Sequence, residues 1–311
     1  MMGIVVIGAV FVDIKGFPEM ALNPSGKNAG NVLQIHGGVG RNLAEDIANC
    51  ELRPTFVSLV DESGTGIDVI RKLKNHKVNT DYIRTTRDGM GTWLAVFDKD
   101  GDVAAAISKR PNLQPIVDIL EEYGDEIFKN ADSVVIEIDI DKEIVKRTFK
   151  LAKKYGKRVY AVVANMSIAL ERRDFLQSID CFVCNIQEAG ILFSDDYTDK
   201  TPDEMISIIS EKVQAARIPS MIVTMGGAGA VYADINGDNG FCLARKVEVK
   251  DTTGAGDSFC AGAAIGLTYG KNLKEACEIG TMLAASVIVT SENVCPRFQP
   301  RELGLDMDVV D

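Results

Sequence analysis

A chain of 311 residues, 46% of them hydrophobic, is long enough to bury one large α/β core or two smaller ones. Its 34 basic and 45 acidic residues leave a net charge of −11, which argues against a general binder of nucleic acid or of anionic membranes. Seven cysteines, an odd number scattered among apolar neighbours, fit a reduced protein and not a disulfide framework.

The apolar run Met2 to Val12 has no basic flank before it and no small-residue cleavage site after it. It reads as a buried strand and not as a signal peptide, and no apolar run reaches transmembrane length, so the expected location is the cytoplasm. Residues 3–12 are expected to form a central strand of a parallel sheet. Asp13 falls where that strand ends, the place where open α/β sheets put ligand contacts; an ordinary turn residue is the alternative. Residues 14–36 hold Pro18, Pro24 and several Gly, Asn and Ser, which suggests irregular, partly extended structure outside the main sheet. Gly37-Gly-Val-Gly-Arg-Asn42 then leads into helical spacing at Leu43 to Ala48, a glycine-rich helix start in which Asn42 is a cap or a ligand contact. Val57 to Val60 reads as a short strand and Asp68 to Leu73 as an amphipathic helix. Gly91 to Asp98 and Val103 to Ser108 flank an Asp100-Gly101 turn signal, so they form a hairpin. The only tryptophan, Trp93, lies in it, either packed within the hairpin or facing a ligand.

From about residue 113 the pattern becomes regular. Helical spacing runs over 116–128, 142–155 and 202–216. Buried strands fall at 133–138 (ending at Asp139), 158–163, 181–184 and 220–224. This alternation implies a parallel sheet with helices on both faces, and without a repeat or low-complexity linker the chain reads as a single domain, 1–311. Cys181 and Cys184 have C-x-x-C spacing, but no second pair or neighbouring histidine completes a metal site; the histidines are His36 and His76.

The familiar phosphate motifs are missing. Lys27, Lys157 and Lys271 each follow a glycine, yet none is followed by Ser or Thr as a P-loop requires. No glycine cluster completes G-x-G-x-x-G, which counts against a dinucleotide-dependent dehydrogenase. Two turns beyond strands remain as candidates: Asn185-Ile-Gln-Glu188, and Thr224-Met-Gly-Gly-Ala-Gly229. By themselves they read as a helix cap and a hairpin turn.

The stretch with the most chemistry is Asp251-Thr-Thr-Gly-Ala-Gly-Asp257, followed by small apolar residues to Leu267. Gly254 and Gly256 rule out a helix interior before Asp257, so the stretch is a loop that becomes a buried helix. The first amides of such a helix have no partner, and glycines let an anion approach them. An aspartate within that pocket would repel a resting phosphate. It makes sense as the group that takes a proton from an attacking hydroxyl while the amides stabilise developing charge. A glycine turn capped by Asp257 is the plainer alternative.

This string resembles the C-terminal signature of the ribokinase family, also called the PfkB carbohydrate kinases. The resemblance implies a ribokinase-like α/β fold: a central, mostly parallel sheet with helices on both faces, plus a small β lid formed by about 14–36 and 88–112. It implies an ATP-dependent phosphotransferase with Asp257 as catalytic base and the amides of Gly254, Ala255 and Gly256 as anion hole. Gly37, Gly38 and Asn42 match the N-terminal signature that approaches the sugar, with Asp13 and Asp139 also on the substrate. Asn185 and Glu188 match an N-x-x-E motif linked to Mg²⁺ and phosphate. Thr224, Gly226, Gly227 and Gly229 match the turn against the nucleotide, and Asp251 and Thr253 fall where many members hold K⁺. Within the family, Gly37 to Ala44, Met225 to Gly237 and the acidic strand end Glu137-Ile-Asp139 look most like bacterial pseudouridine kinases. The implied acceptor is the 5′-hydroxymethyl of a ribonucleoside or sugar, with ribokinase or another nucleoside kinase as the alternative. A non-catalytic metabolite binder on the same fold is the other class. Lys109-Arg110 ends the lid strand at a position that can face the base. The lid can also pair with that of a second subunit, giving a homodimer.

Overall fold

The structure is a computed structural model that describes residues 3–99 and 103–306. The Asp100-Gly101 turn signal lies outside the described residues. In chain order the elements are β1 (Ile4–Ile7), β2 (Phe11–Pro18), β3 (Gly30–Gly37), α1 (Val39–Asn49), β4 (Thr55–Val60), α2 (Gly64–Asn75), β5 (Ile83–Thr85), β6 (Gly91–Phe97) and β7 (Val103–Lys109). There follow α3 (Pro115–Asn130), β8 (Ser133–Glu137), α4 (Lys142–Tyr155), β9 (Val159–Val162), α5 (Met166–Ala169), β10 (Cys181–Asn185), α6 (Ile186–Phe193) and α7 (Pro202–Ala216). The chain ends with β11 (Ser220–Thr224), β12 (Gly229–Asp234), β13 (Asn239–Leu243), α8 (Ala255–Thr268) and α9 (Leu273–Val287).

Nine strands form the main sheet in the order β13-β12-β11-β10-β9-β8-β1-β4-β5. Pairing is parallel from β5 to β11 and antiparallel in the last two ladders, β11–β12 and β12–β13. The uninterrupted apolar strands follow from burial on both faces. In β1, Val5 and Ile7 face a core shared with α3, α4, α6 and α7, while Ile4 and Val6 face one shared with α1, α2, α8 and α9.

The second sheet, β3-β2-β6-β7, stands apart from the first. It corrects two sequence expectations. Residues 3–12 are not one strand: β1 stops at Ile7, and the chain re-enters regular structure at Phe11 as part of the small sheet. The break has a side-chain cause. The Glu137 carboxyl at the end of β8 accepts the Ala9 N–H at 2.8 Å, taking a donor that a continuing ladder would use. A Cβ on Gly8 would lie 2.3 Å from Glu137 Oε1, so only glycine admits this carboxyl. Asp13 therefore sits within lid strand β2 and not at the end of a main-sheet strand. Residues 14–36 are also more regular than their Gly, Asn and Pro content suggests, since β2 and β3 pair over eight residues each.

Register sorts the small sheet into two faces. Asp13 pairs with Ile35 and Trp93, and Trp93 with Ser108, so these share the inner face with Phe11, Lys15 and Phe17. The outer face carries Ile14, Val32, Leu94 and Ile107, with Val32 68% and Ile107 70% exposed.

Candidate active site

Helix α8 begins at Gly254, whose φ of 81° is left-handed. A side chain there would also collide with the chain, because a Cβ would lie 2.1 Å from the Asn293 carbonyl oxygen. Glycine is thus required both by conformation and by contact. Two further contacts hold the helix. Ser258 Oγ donates to Asp46 Oδ2 on α1 at 2.9 Å, and Gly262 packs on Gly280 of α9 so closely that a Cβ would come within 2.7 Å of its Cα. Burial raises the Asp46 carboxyl to about 8.

The start of α8 separates two cavities. Gly254 and Asp257 line one of about 290 Å³, together with Phe11, Asp13, Asn42, Trp93, Arg110 and Asp139. Ala255 and Gly256 line the other, of about 450 Å³, together with Thr224, Gly226, Gly227 and Gly229. Among the described residues the Gly254 and Gly256 N–H groups donate to no protein atom, whereas the Ala255 N–H bonds Thr252 O at 3.2 Å. Of the three amides expected to form the anion hole, two are therefore free.

Asp257 projects into the smaller cavity. Burial raises its pKa to about 6, against the opposing pull of a 2.6 Å hydrogen bond from Asn42 Nδ2 and of the Arg41 guanidinium; Asp13 pushes it up further. Asn42 is not the cap of α1, a position held by Gly38. Its Oδ1 is buried without a partner, which is the kind of acceptor a ligand hydroxyl would satisfy. The Asp13 carboxylate accepts no hydrogen bond from the described residues and has its pKa raised by burial. Gly37 makes room for it, since a Cβ there would lie 2.4 Å from Asp13 Oδ2. Gly38, with φ of 96°, lets the chain pass within contact of Ala9 and Phe11.

Asp139 is placed beside this cavity but is already occupied. Its Oδ1 accepts the Ala164 N–H at 2.9 Å, and its Oδ2 accepts the Asn165 N–H and Arg110 Nη2, both at 3.1 Å. Asn185 and Glu188 form a reciprocal capping box on α6, with both bonds at 2.8 Å, so the cap reading is geometrically satisfied. Burial raises the Glu188 pKa, and the charges of Asp139 and Asp257 add to it, which puts Glu188 within electrostatic reach of the site. Thr224 and the Gly226–Gly229 turn join β11 to β12 and also line the larger cavity, so the hairpin and ligand readings coincide. Asp251 and Thr253, expected beside K⁺, are bridged instead by the ammonium of Lys15. It lies 3.3 Å from Thr253 Oγ1 and 4.0 Å from Asp251 Oδ2.

Several residues of the site escaped sequence reading. Arg41 is 1% exposed and ties α1 to the lid base and the C-terminal loop through Glu45, the His36 carbonyl and Asn293. Glu137 lines the smaller cavity, accepts the Ala9 and Gly40 amides, and is pushed to about 8 by burial and by Asp139. The acidic strand end Glu137-Ile-Asp139 stood out in the sequence, but gave Glu137 no role in the site. Among the described residues no cluster of three or more His, Cys, Asp or Glu forms a metal cage, and no helix is long and apolar enough to cross a membrane.

Comparison with known proteins identifies the family and the fold. The model of the pfkB family of carbohydrate kinases matches residues 1–298. A guanosine-inosine kinase of Exiguobacterium acetylicum is 35% identical over 292 residues, covering 93% of this chain and 95% of that protein. The pseudouridine kinase of Escherichia coli K12 is 26% identical over 263 residues, covering 84% and 82%. Arabidopsis thaliana ribokinase, solved with ribose and ATP, superposes with a TM-score of 0.82 at 22% identity, covering 98% of this chain and 99% of that one. The fold is ribokinase-like.

Proposed function

Because this chain belongs to the pfkB family of carbohydrate kinases, and so is a phosphotransferase, we propose that it transfers a phosphoryl group from ATP to the 5′-hydroxyl of a purine ribonucleoside. The observation that carries this reading is the start of α8, with Asp257 facing one cavity and the Gly256 amide facing the other. A donor and an acceptor bound on the two sides meet at that helix end.

The larger cavity suits a nucleotide triphosphate. A Cβ on Gly226, Gly227 or Gly256 would meet no protein atom within 4 Å, so these glycines leave bare backbone facing open space. ATP held there would supply the phosphoryl group, and Glu188 is the residue that would help hold a Mg²⁺ brought with it, whose charge would offset that of the phosphates. A K⁺ at Asp251 would share that carboxylate with the Lys15 ammonium, which stands 4.0 Å away.

On the acceptor side, Asp13 and Asn42 Oδ1 accept vicinal ribose hydroxyls. Asn42 Nδ2 meanwhile holds Asp257, which takes the 5′-hydroxyl proton as the oxygen attacks in line. The Gly254 and Gly256 amides stabilise the transferring group, and the lid excludes water that would otherwise be phosphorylated. Phe17 and Phe97 stack with centroids 4.6 Å apart and Trp93 meets Phe97 edge-on at 6.4 Å, giving the inner lid face an aromatic surface beside Asp13. Free ribose has no use for that surface.

The purine reading draws on the guanosine-inosine kinase relative, which is nearer in sequence than the pseudouridine kinase. Pseudouridine remains the second reading, through the strings Gly37 to Ala44 and Met225 to Gly237. A coupled assay with guanosine, inosine, adenosine, pseudouridine, uridine and ribose decides. A purine nucleoside is expected to give the highest kcat/KM. If pseudouridine leads, the second reading replaces the first; if ribose leads, both nucleoside readings fall.

The outer lid face supports a homodimer. Val32, Leu94 and Ile107 form an apolar surface on a chain of net charge −11, and an apolar patch can pair with its own copy about a two-fold axis without charge complementarity. Sedimentation is expected to give a dimer for the wild type and a monomer for Ile107→Lys. A monomeric wild type at tens of micromolar would remove the idea.

A further inference from the structure

We propose that Lys15 couples the lid to the anion hole: carried on the same strand as the ribose contact Asp13, its ammonium sets the loop that presents the Gly254 amide once an acceptor is bound. This rests on the reading above that transfer takes place at the start of α8, and it adds a positioning residue for that step.

Asp13 and Lys15 lie two apart on β2, so both face inward from the lid. Lys15 pairs in register with Leu33 of β3 and Ala95 of β6, which fixes it within the small sheet. Lysines are almost never fully buried unless paired, yet this one is 6% exposed. Its partners are not in the lid. Nζ donates to Thr253 Oγ1 at 3.3 Å and stands 4.0 Å from Asp251 Oδ2. Among the described residues this is the only hydrogen bond between the lid sheet and residues 250–254.

The loop is built to be set from that point. Asp251 Oδ1 accepts the Thr253 N–H at 2.8 Å and the Thr253 hydroxyl at 2.7 Å. The hydroxyl proton is thus committed, and Oγ1 meets Lys15 as an acceptor. Against burial, the Thr253 bonds and the Lys15 charge hold the Asp251 carboxyl below its usual range. On the body side the Lys250 and Asp251 amides both donate to the Ile288 carbonyl, at 2.7 and 3.3 Å. The loop is therefore fixed by the body at its start and by the lid's cation just before Gly254. Thr253, Gly254 and Asp13 line the same acceptor cavity. Strand β2 joins two events across that cavity. A ribose held at Asp13 draws the lid down, and Lys15, about 7 Å further along the strand, closes on Thr253. A lysine suits this contact, because a flexible stem with three rotatable donors can release and remake it as the lid moves. Without an acceptor the loop is unset, and the phosphoryl group is not passed to water.

The test uses whichever of guanosine, pseudouridine and ribose the wild type phosphorylates, so failure of the purine reading leaves it intact. Lys15→Met keeps the stem and removes the charge and the donors. It should lower kcat by about 10²-fold, the cost of misplacing a reacting group by about an ångström, while the acceptor KM stays within about threefold because Asp13 and Asn42 are untouched. Lys15→Ala should regain about tenfold in kcat with propylammonium and nothing with tetramethylammonium, which has the charge but no N–H. Hydrogen exchange reads the coupling without chemistry. Acceptor binding should slow exchange at residues 250–256 in the wild type and leave it unchanged in Lys15→Met. The assignment is overturned by wild-type kcat in Lys15→Met, by a loss confined to the acceptor KM, or by equal rescue with both amines. It is also overturned if acceptor binding leaves exchange at 250–256 unchanged in the wild type, a result that needs no variant to fold. Undiminished turnover in Asp257→Asn would instead remove the parent reading.

Discussion

Asp257→Asn is expected to lower kcat by about 10²- to 10⁴-fold, the range a positioned general base supplies, while the protein remains folded. The asparagine can still accept the hydrogen bond from Asn42 Nδ2 through its own carbonyl oxygen, so the local geometry survives. Only the capacity to take a proton is lost. Stability should move the other way. The folded-state pKa of Asp257 is about 6, raised from 3.8 by burial. The stability its neutral form contributes is present below 3.8 and is lost as pH rises through about 6. At pH 8 the asparagine variant, which is never charged, should therefore melt no lower than the wild type. The same pKa predicts the wild-type pH profile: kcat/KM should rise about tenfold per unit below about 6 and level off above it. Retention of more than about a tenth of wild-type turnover in the variant would dismiss Asp257 as the base, since even the low end of base catalysis exceeds that.

Gly254→Ala and Gly256→Ala should fail in different ways, although both replace a glycine in one short loop. At Gly254, φ is 81° and a Cβ would lie 2.1 Å from the Asn293 carbonyl. The left-handed backbone alone costs an alanine about 1–2 kcal/mol. The contact must also displace Asn293, which bonds Arg41 at 3.1 Å and the His36 carbonyl at 2.8 Å. A fall in Tm on the order of 5 °C is expected, along with a drop in kcat of about 10²- to 10³-fold as an anion-hole amide moves. At Gly256 a Cβ meets nothing within 4 Å and the residue is in α8, so Tm should stay within a degree or two or rise, as alanine is the better helix former. The new methyl instead stands in the larger cavity, where the phosphates are proposed to lie. Displacing them by about an ångström should lower kcat/KM for ATP by up to about 100-fold. Wild-type kinetics in Gly256→Ala would argue that this amide does not face the transferred group.

Much of the site was legible because its chemistry is local. Gly254, Gly256 and Asp257 lie within one helix start, and a glycine pair before an acid and a buried helix has few other uses. The Gly226–Gly229 turn and the Asn185–Glu188 box follow strands whose apolar runs are unmistakable. The main sheet was readable for the same reason: strands buried on both faces carry continuous hydrophobic sequence. Helix α9 and strands β5 and β13 were less so, since Ile83–Thr85 has three residues and Asn239–Leu243 is a half-exposed edge.

The sequence by itself determined the α/β alternation, the absence of a P-loop or dinucleotide fingerprint, and the helix start that carries Asp257, the proposed base. Each depends on neighbours within a few residues, where backbone propensity and periodicity act. Only the tertiary structure decided where β1 ends, because the Glu137 carboxyl that stops it comes from 128 residues away. The same holds for Asp139, whose oxygens are reached by Arg110, Ala164 and Asn165. It holds also for Asp251, whose charge is met by Lys15 from the lid. A carboxylate's role is set by which donors reach it, and donors brought from distant strands leave no mark on the residues beside it.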